Sequence, residues 1–141
     1  MRRIFWDAML LIYLLEGNPT YSKRVQELLK SAYEREDRLF TSYLGLAEVM
    51  AGAAKSPSPF TGDEIKAKLS DAGFSYLPFG EAAVNPFARL RSMSKVKSAD
   101  AMNLACAASG QMDLFLTGDQ QLIKLHVPGI QFIADFQTPL L

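Results

Sequence analysis

The chain has 141 residues, 49% apolar and 21% charged, which is enough to bury one core without staples and excludes an intrinsically disordered segment. Fifteen Lys and Arg balance fifteen Asp and Glu, so bulk charge gives no attraction to nucleic acid or to an anionic membrane, although a local basic patch stays open. The one cysteine, Cys106, excludes an internal disulfide, and no segment reaches the ~18–20 uninterrupted apolar residues of a membrane span.

The opening Met1-Arg2-Arg3-Ile4-Phe5-Trp6 has the basic-then-apolar start of a signal peptide. Asp7 interrupts the apolar run, Glu16 follows, and no small-residue cleavage site occurs near position 25, so the expectation is a cytoplasmic protein with its start codon intact. Ile4-Phe5-Trp6 predicts a first strand that ends at Asp7. Residues 9–15 are apolar nearly all round and predict a buried helix. Over 21–38, Val25, Leu28, Leu29 and Ala32 share one face opposite Lys, Arg and Glu, which predicts an amphipathic helix. Leu39-Phe40 predicts a second strand that stops at Thr41-Ser42, followed by a small-residue, apolar helix over 43–54.

Lys55-Ser56-Pro57-Ser58-Pro59 is the one loop-like tract, too short to divide domains, and predicts a surface turn between two helices. Thr61 followed three residues later by Glu64 has capping-box spacing and starts a helix that runs to about Ala72. Phe74-Ser75-Tyr76-Leu77 predicts a strand before Pro78. Residues 81–93 predict a helix, with Pro86 as an awkward interior residue. Ser98 predicts the cap of a helix over 99–109 that Gly110 stops. Leu114-Phe115-Leu116 and Ile130-Gln131-Phe132-Ile133 predict the last strands, the second entered through the Pro128-Gly129 turn. These short, non-alternating runs suit strands covered on both faces. Their alternation with helices predicts one domain over 1–141, a three-layer α/β/α fold with a central parallel sheet.

Most acids occupy polar or boundary positions, but Asp7, Glu48, Asp100 and Asp119 lie in apolar surroundings. An ionised carboxylate there is costly unless it is paired, hydrogen-bonded or bound to metal. Asp7 and Asp119 follow strands, Asp100 opens a helix, and Glu48 sits about two turns into the helix after the second strand. All four therefore belong at the carboxyl edge of a parallel sheet, where such folds bind ligands. Asp113 precedes its predicted strand, so it belongs at the opposite end as a loop carboxylate. Four converging carboxylates repel one another, and a divalent cation relieves that conflict. An all-oxygen set suits Mg²⁺ or Mn²⁺ rather than zinc, and such an ion serves phosphodiester hydrolysis.

Phe5-Trp6-Asp7-Ala8, Leu46-Ala47-Glu48-Val49, Ser98-Ala99-Asp100-Ala101 and Leu116-Thr117-Gly118-Asp119 resemble, in order and spacing over the whole chain, the four acidic motifs of PIN-domain ribonucleases. Among these the chain is most similar to the VapC-type toxins of toxin–antitoxin pairs. The resemblance implies a PIN-like parallel sheet between helices, a carboxylate-bound Mg²⁺ or Mn²⁺, endonucleolytic cleavage of RNA, a homodimer, and inhibition by a small antitoxin protein. It assigns Asp7, Glu48, Asp100 and Asp119 as catalytic and metal-binding acids, and Thr117 as a hydroxyl that hydrogen-bonds within the site. Asn103, one turn after Asp100 on the same face, joins them as a supporting residue. Two positions depart from the family pattern: Ala8 stands where Thr or Ser often follows the first Asp, and Gln120-Gln121-Leu122 stands where a further acid and Phe often follow the last.

Arg89, Arg91, Lys95 and Lys97 lead to Asp100 with no acid between Glu81 and it, and are the candidate RNA-phosphate contacts. The sole histidine, His126, lies on the approach to the last strand, remote from the acids, and Cys106 reads as a small buried hydrophobe. No glycine pattern forms a nucleotide loop. Two rival readings remain. A receiver-type phosphoacceptor would need an acidic pair after the first strand and an Asp after the third, where Leu77-Pro78-Phe79 stands. A catalytically weak or inactive PIN-like RNA-binding module would keep the fold and lose the turnover.

Overall fold

The computed structural model describes residues 1–55 and 59–139. The turn expected over 55–59 falls largely outside them. Five parallel strands form one sheet: β1 (Arg3–Trp6), β2 (Arg38–Ser42), β3 (Phe74–Leu77), β4 (Met112–Thr117) and β5 (Ile130–Asp135), in the order β3-β2-β1-β4-β5. Between them run α1 (Ala8–Glu16), α2 (Ser22–Arg35), α3 (Tyr43–Lys55), α4 (Gly62–Asp71), α5 (Glu81–Met93), α6 (Ser98–Ser109) and the short α7 (Gln120–Ile123).

Alternate residues of the central strands feed two cores. Ile4, Trp6, Leu114 and Leu116 pack with Leu10, Val25, Leu46 and Ile65 of α1 to α4. Phe5 and Phe115, stacked at 4.8 Å between centroids, pack on the other face with Leu90, Leu104 and Leu122 of α5 to α7. The result is a three-layer α/β/α sandwich, as the strand–helix alternation implies. The chain places β2 and β3 on one side of β1, then crosses to place β4 and β5 on the other. The order therefore reverses between β1 and β4, and that crevice at the carboxyl edge is the topological switch point where open α/β sheets bind ligands.

Several expectations need correction. The helix over 21–38 ends at Arg35, because Glu36 turns left-handed at φ 59° and Arg38 already pairs with Arg3 in the sheet. The helix over 9–15 is only half buried: Leu10 and Leu11 are inside, whereas Met9 is 47% exposed. Ser98 is the first residue of α6 rather than its cap; Lys97 takes the cap position without a side-chain bond. Gly110 ends α6 in the ordinary helical region, and it is Gln111 that takes the left-handed step, at φ 57°. The last strand is a sheet edge, with Phe132 63% exposed, so it is not covered on both faces. Pro86 sits inside an unbroken α5; the carbonyl it cannot satisfy belongs to exposed Ala82, where water can reach it.

Asp113 is at the opposite end of the sheet from the other acids, but inside β4 rather than in a loop. Its carboxylate accepts the Arg3 backbone N–H at 2.7 Å. The Arg3 guanidinium donates to the Gly110 and Gln111 carbonyls and lies 4.4 Å over the Phe40 ring. That amino edge is thus tied together by charge-assisted bonds.

Candidate active site

Asp7 follows the last residue of β1, and its N–H still reaches across to the Leu116 carbonyl of β4 at 3.0 Å. One carboxylate oxygen caps α1 by accepting the Ala8 N–H at 2.7 Å. The other accepts the Thr117 hydroxyl at 2.9 Å. Thr117 is fully buried at the end of β4, and its oxygen in turn accepts the Asp119 N–H at 3.1 Å. One hydroxyl therefore links the two strand ends that flank the switch point. Asp119 caps α7 by accepting the Gln121 N–H at 2.9 Å.

Glu48 and Asp100 come from helices. Glu48 lies in the second turn of α3 and accepts the Asn103 amide at 3.0 Å. Asn103 is 4% exposed, and its amide oxygen accepts the Ser42 hydroxyl. A carboxylate can only accept, so the amide must face Glu48 with its nitrogen. Ser42 also accepts the Gly45 N–H at 2.8 Å, which starts α3 at the correct height. Asp100 lies in the first turn of α6, where the helix N-terminus favours negative charge.

Two of the four acids, Asp7 and Asp100, respond to their neighbours. Burial, with the charges of Asp100 and Glu48 behind it, raises the Asp7 carboxyl to about 6, against the lowering effect of its Thr117 and Ala8 hydrogen bonds. Burial and then the Asp119 charge raise Asp100, while nearby Lys97 opposes them. Among the described residues, no three His, Cys, Asp or Glu side chains are gathered tightly enough to close around an ion. Instead Asp7 spends both oxygens, and Glu48 and Asp119 one each, on N–H or O–H donors. Every candidate donor here is a hard oxygen, and each ionised carboxylate keeps accepting capacity beyond those bonds. This donor chemistry fits Mg²⁺ or Mn²⁺ and not a soft metal.

The four basic candidates are dispersed. Lys97 is close enough to affect Asp100. Arg91 donates to the Val96 carbonyl at 2.7 Å and so braces the turn before α6. Lys95 is exposed. Arg89 lines a cavity of about 360 Å³ between α5 and the loop before β5, with His126 on its other wall. Cys106 is buried, and burial pushes its thiol up to about 11, so it is inert.

Sequence reasoning passed over two residues. Ser42 is completely buried and orients Asn103. It was legible only as a polar stop to an apolar strand. Asp135 ends β5 level with Thr117 and accepts the Gln120 amide at 2.7 Å. It closes an apolar run just as Asp7 does, and that signal was available.

A carboxylate-lined switch point in a parallel three-layer sheet defines an acidic-site α/β domain. The PIN domain family matches residues 4–127, and the chain belongs to that family. Among solved structures, the chain is similar to a DNA-bound VapBC from Salmonella typhimurium, with a TM-score of 0.71, 20% identity, and 96% of this chain and 99% of that one covered. It is also similar to VapBC2 from Rickettsia felis bound to a promoter DNA fragment, with TM-score 0.68, 15% identity, and 94% and 98% coverage. A toxin–antitoxin complex from Klebsiella pneumoniae aligns at TM-score 0.61, 22% identity, and 90% and 94% coverage. At these identities the likeness is one of fold. No curated protein matches the chain.

Proposed function

We propose that this PIN domain is a Mg²⁺- or Mn²⁺-dependent endoribonuclease and the VapC-like toxin of a toxin–antitoxin pair, working as a cytoplasmic homodimer restrained by a small antitoxin. The observation that carries the reading is that, at the carboxyl edge of the sheet, buried Asp7 feels the charges of Asp100 and Glu48, and Asp100 feels that of Asp119. The solved toxin–antitoxin complexes of the same fold support the partner. No described helix is long and apolar enough to cross a membrane.

Asp7, Asp100, Asp119 and Glu48 would hold the ion. When bound, it supplies an activated water nucleophile and neutralises charge developing on the phosphoryl oxygens. The chain's own residues prepare for this. Thr117 fixes the direction of the Asp7 carboxylate by donating to it. Asn103, braced by Ser42, does the same for Glu48. Lys97, beside Asp100, offers a cation to the substrate phosphate.

Incubation of end-labelled RNA with the protein and Mn²⁺ tests the proposal. Cleavage should leave 5′-phosphate and 3′-hydroxyl ends, stop in EDTA, and disappear in Asp7→Asn and Asp100→Asn. A 2′,3′-cyclic phosphate product, or cleavage that survives EDTA, contradicts it. RNA binding with no cleavage assigns the chain to the inactive-module reading instead.

A further inference from the structure

Two aromatic rings at the carboxyl edge have no role in the chemistry above. Tyr43, 52% exposed, follows Ser42 directly at the end of β2. Phe79, 40% exposed, lies two residues past the end of β3. The β1–β2 register pairs Phe5 with Phe40, and continued by two residues it sets Asp7 level with Ser42. Strands lie about 4.8 Å apart, so Tyr43 emerges roughly 5–10 Å from Asp7 along the edge.

Neither ring stands alone. Tyr43 leans on Tyr76 at 5.5 Å between centroids, and the Tyr76 hydroxyl is anchored by donating to the Lys66 carbonyl. Phe79 meets Phe87 edge-on at 5.6 Å. Each exposed ring is therefore held by an inner ring and loses little freedom when something packs on it. The more exposed Met93 and Phe132 have no such ring behind them among the described contacts.

Flat, braced rings beside a phosphodiester-cleaving site suit the faces of unpaired bases. A base inside a duplex has both faces occupied, whereas an unpaired one stacks on an aromatic side chain with little regard to sequence. We propose that Tyr43 and Phe79 form a stacking platform that holds unpaired bases flanking the scissile phosphate. This inference rests on the nuclease reading.

The test measures affinity for a random-sequence 20-nucleotide RNA, single-stranded and annealed to its complement, with Ca²⁺ present. Light scattering gives the molar mass of each variant. Single strands should bind at least tenfold more tightly than duplex. Tyr43→Ala should weaken single-strand binding about tenfold and Tyr43→Leu nearly as much, because leucine keeps apolar bulk but has no π-face. Tyr43→Phe should restore it. Tyr33→Ala, which removes an equally exposed ring beside Arg3 and Arg38 at the amino edge, should change nothing. The platform is overturned if strand and duplex bind alike, if Tyr43→Leu binds like the unaltered protein, or if Tyr43→Ala halves the molar mass, which would give the surface to a second copy of the chain. Failure of the unaltered protein both to bind and to cleave the pool would instead sink the nuclease reading, and the platform with it.

Discussion

Asp7 carries the sharpest physical signature in the molecule. Its carboxyl is raised from 3.8 to about 6, first by burial and then by Asp100 and Glu48. Between those two values the folded protein holds a proton that the unfolded chain has lost. Metal-free stability should therefore fall as pH rises from about 4 to 6, then level off. Two pKa units correspond to at most about 3 kcal/mol, and less where Asp7 retains its hydrogen bonds. Asp7→Asn should thus be more stable than the unaltered protein at pH 8 in EDTA, with the advantage shrinking toward pH 4. Urea melts at the two pH values measure it; an advantage that grows toward acid would refute this account of Asp7. Asp37 runs the other way. Burial opposes it, but the Arg2 N–H and the Arg35 and Arg2 guanidiniums prevail and lower its carboxyl, so its contribution is present at neutral pH and is lost only in strong acid.

Among elements, the close approach of α3 to the end of β2 positions the helix that carries Glu48, and it depends on one missing side chain. A Cβ on Gly45 would sit 2.7 Å from the Thr41 hydroxyl and 3.4 Å from that of Ser42, both buried. Gly45→Ala should cost roughly 1–3 kcal/mol as an overpacking change. It should also lower cleavage by more than stability alone explains, because the Ser42–Asn103–Glu48 chain moves with it. Thermal melts alongside initial rates, taken well below the melting temperature, separate the two effects. The same elements show what sequence can reveal. Strands β1 and β3, helix α5 and the Thr61 capping box stand where the apolar runs and cap spacing put them, since local chemistry decides them. The early end of α2 and the left-handed Gln111 were hidden, because strand pairing and the packing of Gly110 under Leu77 and Met112 decide those positions. The acids were visible because each interrupts an apolar stretch. Ser42 was not, because a buried serine has no such contrast with a strand end.

The whole molecule divides its charges between two edges of one sheet. At the amino edge, the Asp37 and Asp113 carboxylates accept the backbone N–H groups of Arg2 and Arg3, and the Arg2 guanidinium approaches Asp37 at 3.6 Å, which holds strand ends together. At the carboxyl edge, Asp7 feels the charges of Asp100 and Glu48, and Asp100 feels that of Asp119 with Lys97 opposing it. Zero net charge therefore conceals a polar molecule with a structural end and a chemical end. The central claim is that the chemical end is a divalent-cation site, and a thermal melt of three proteins with and without Mn²⁺ tests it most directly. The unaltered protein should gain stability that grows with Mn²⁺ concentration over its dissociation constant. Asp100→Asn should match or exceed it in EDTA, through relief of repulsion, and lose most of the Mn²⁺ gain. Asp113→Asn should melt slightly lower throughout, since Arg3 keeps only a neutral acceptor, yet show the full Mn²⁺ gain. If Asp113→Asn loses that gain as completely as Asp100→Asn, or if Mn²⁺ stabilises none of the three, the cation site is not at the carboxyl edge.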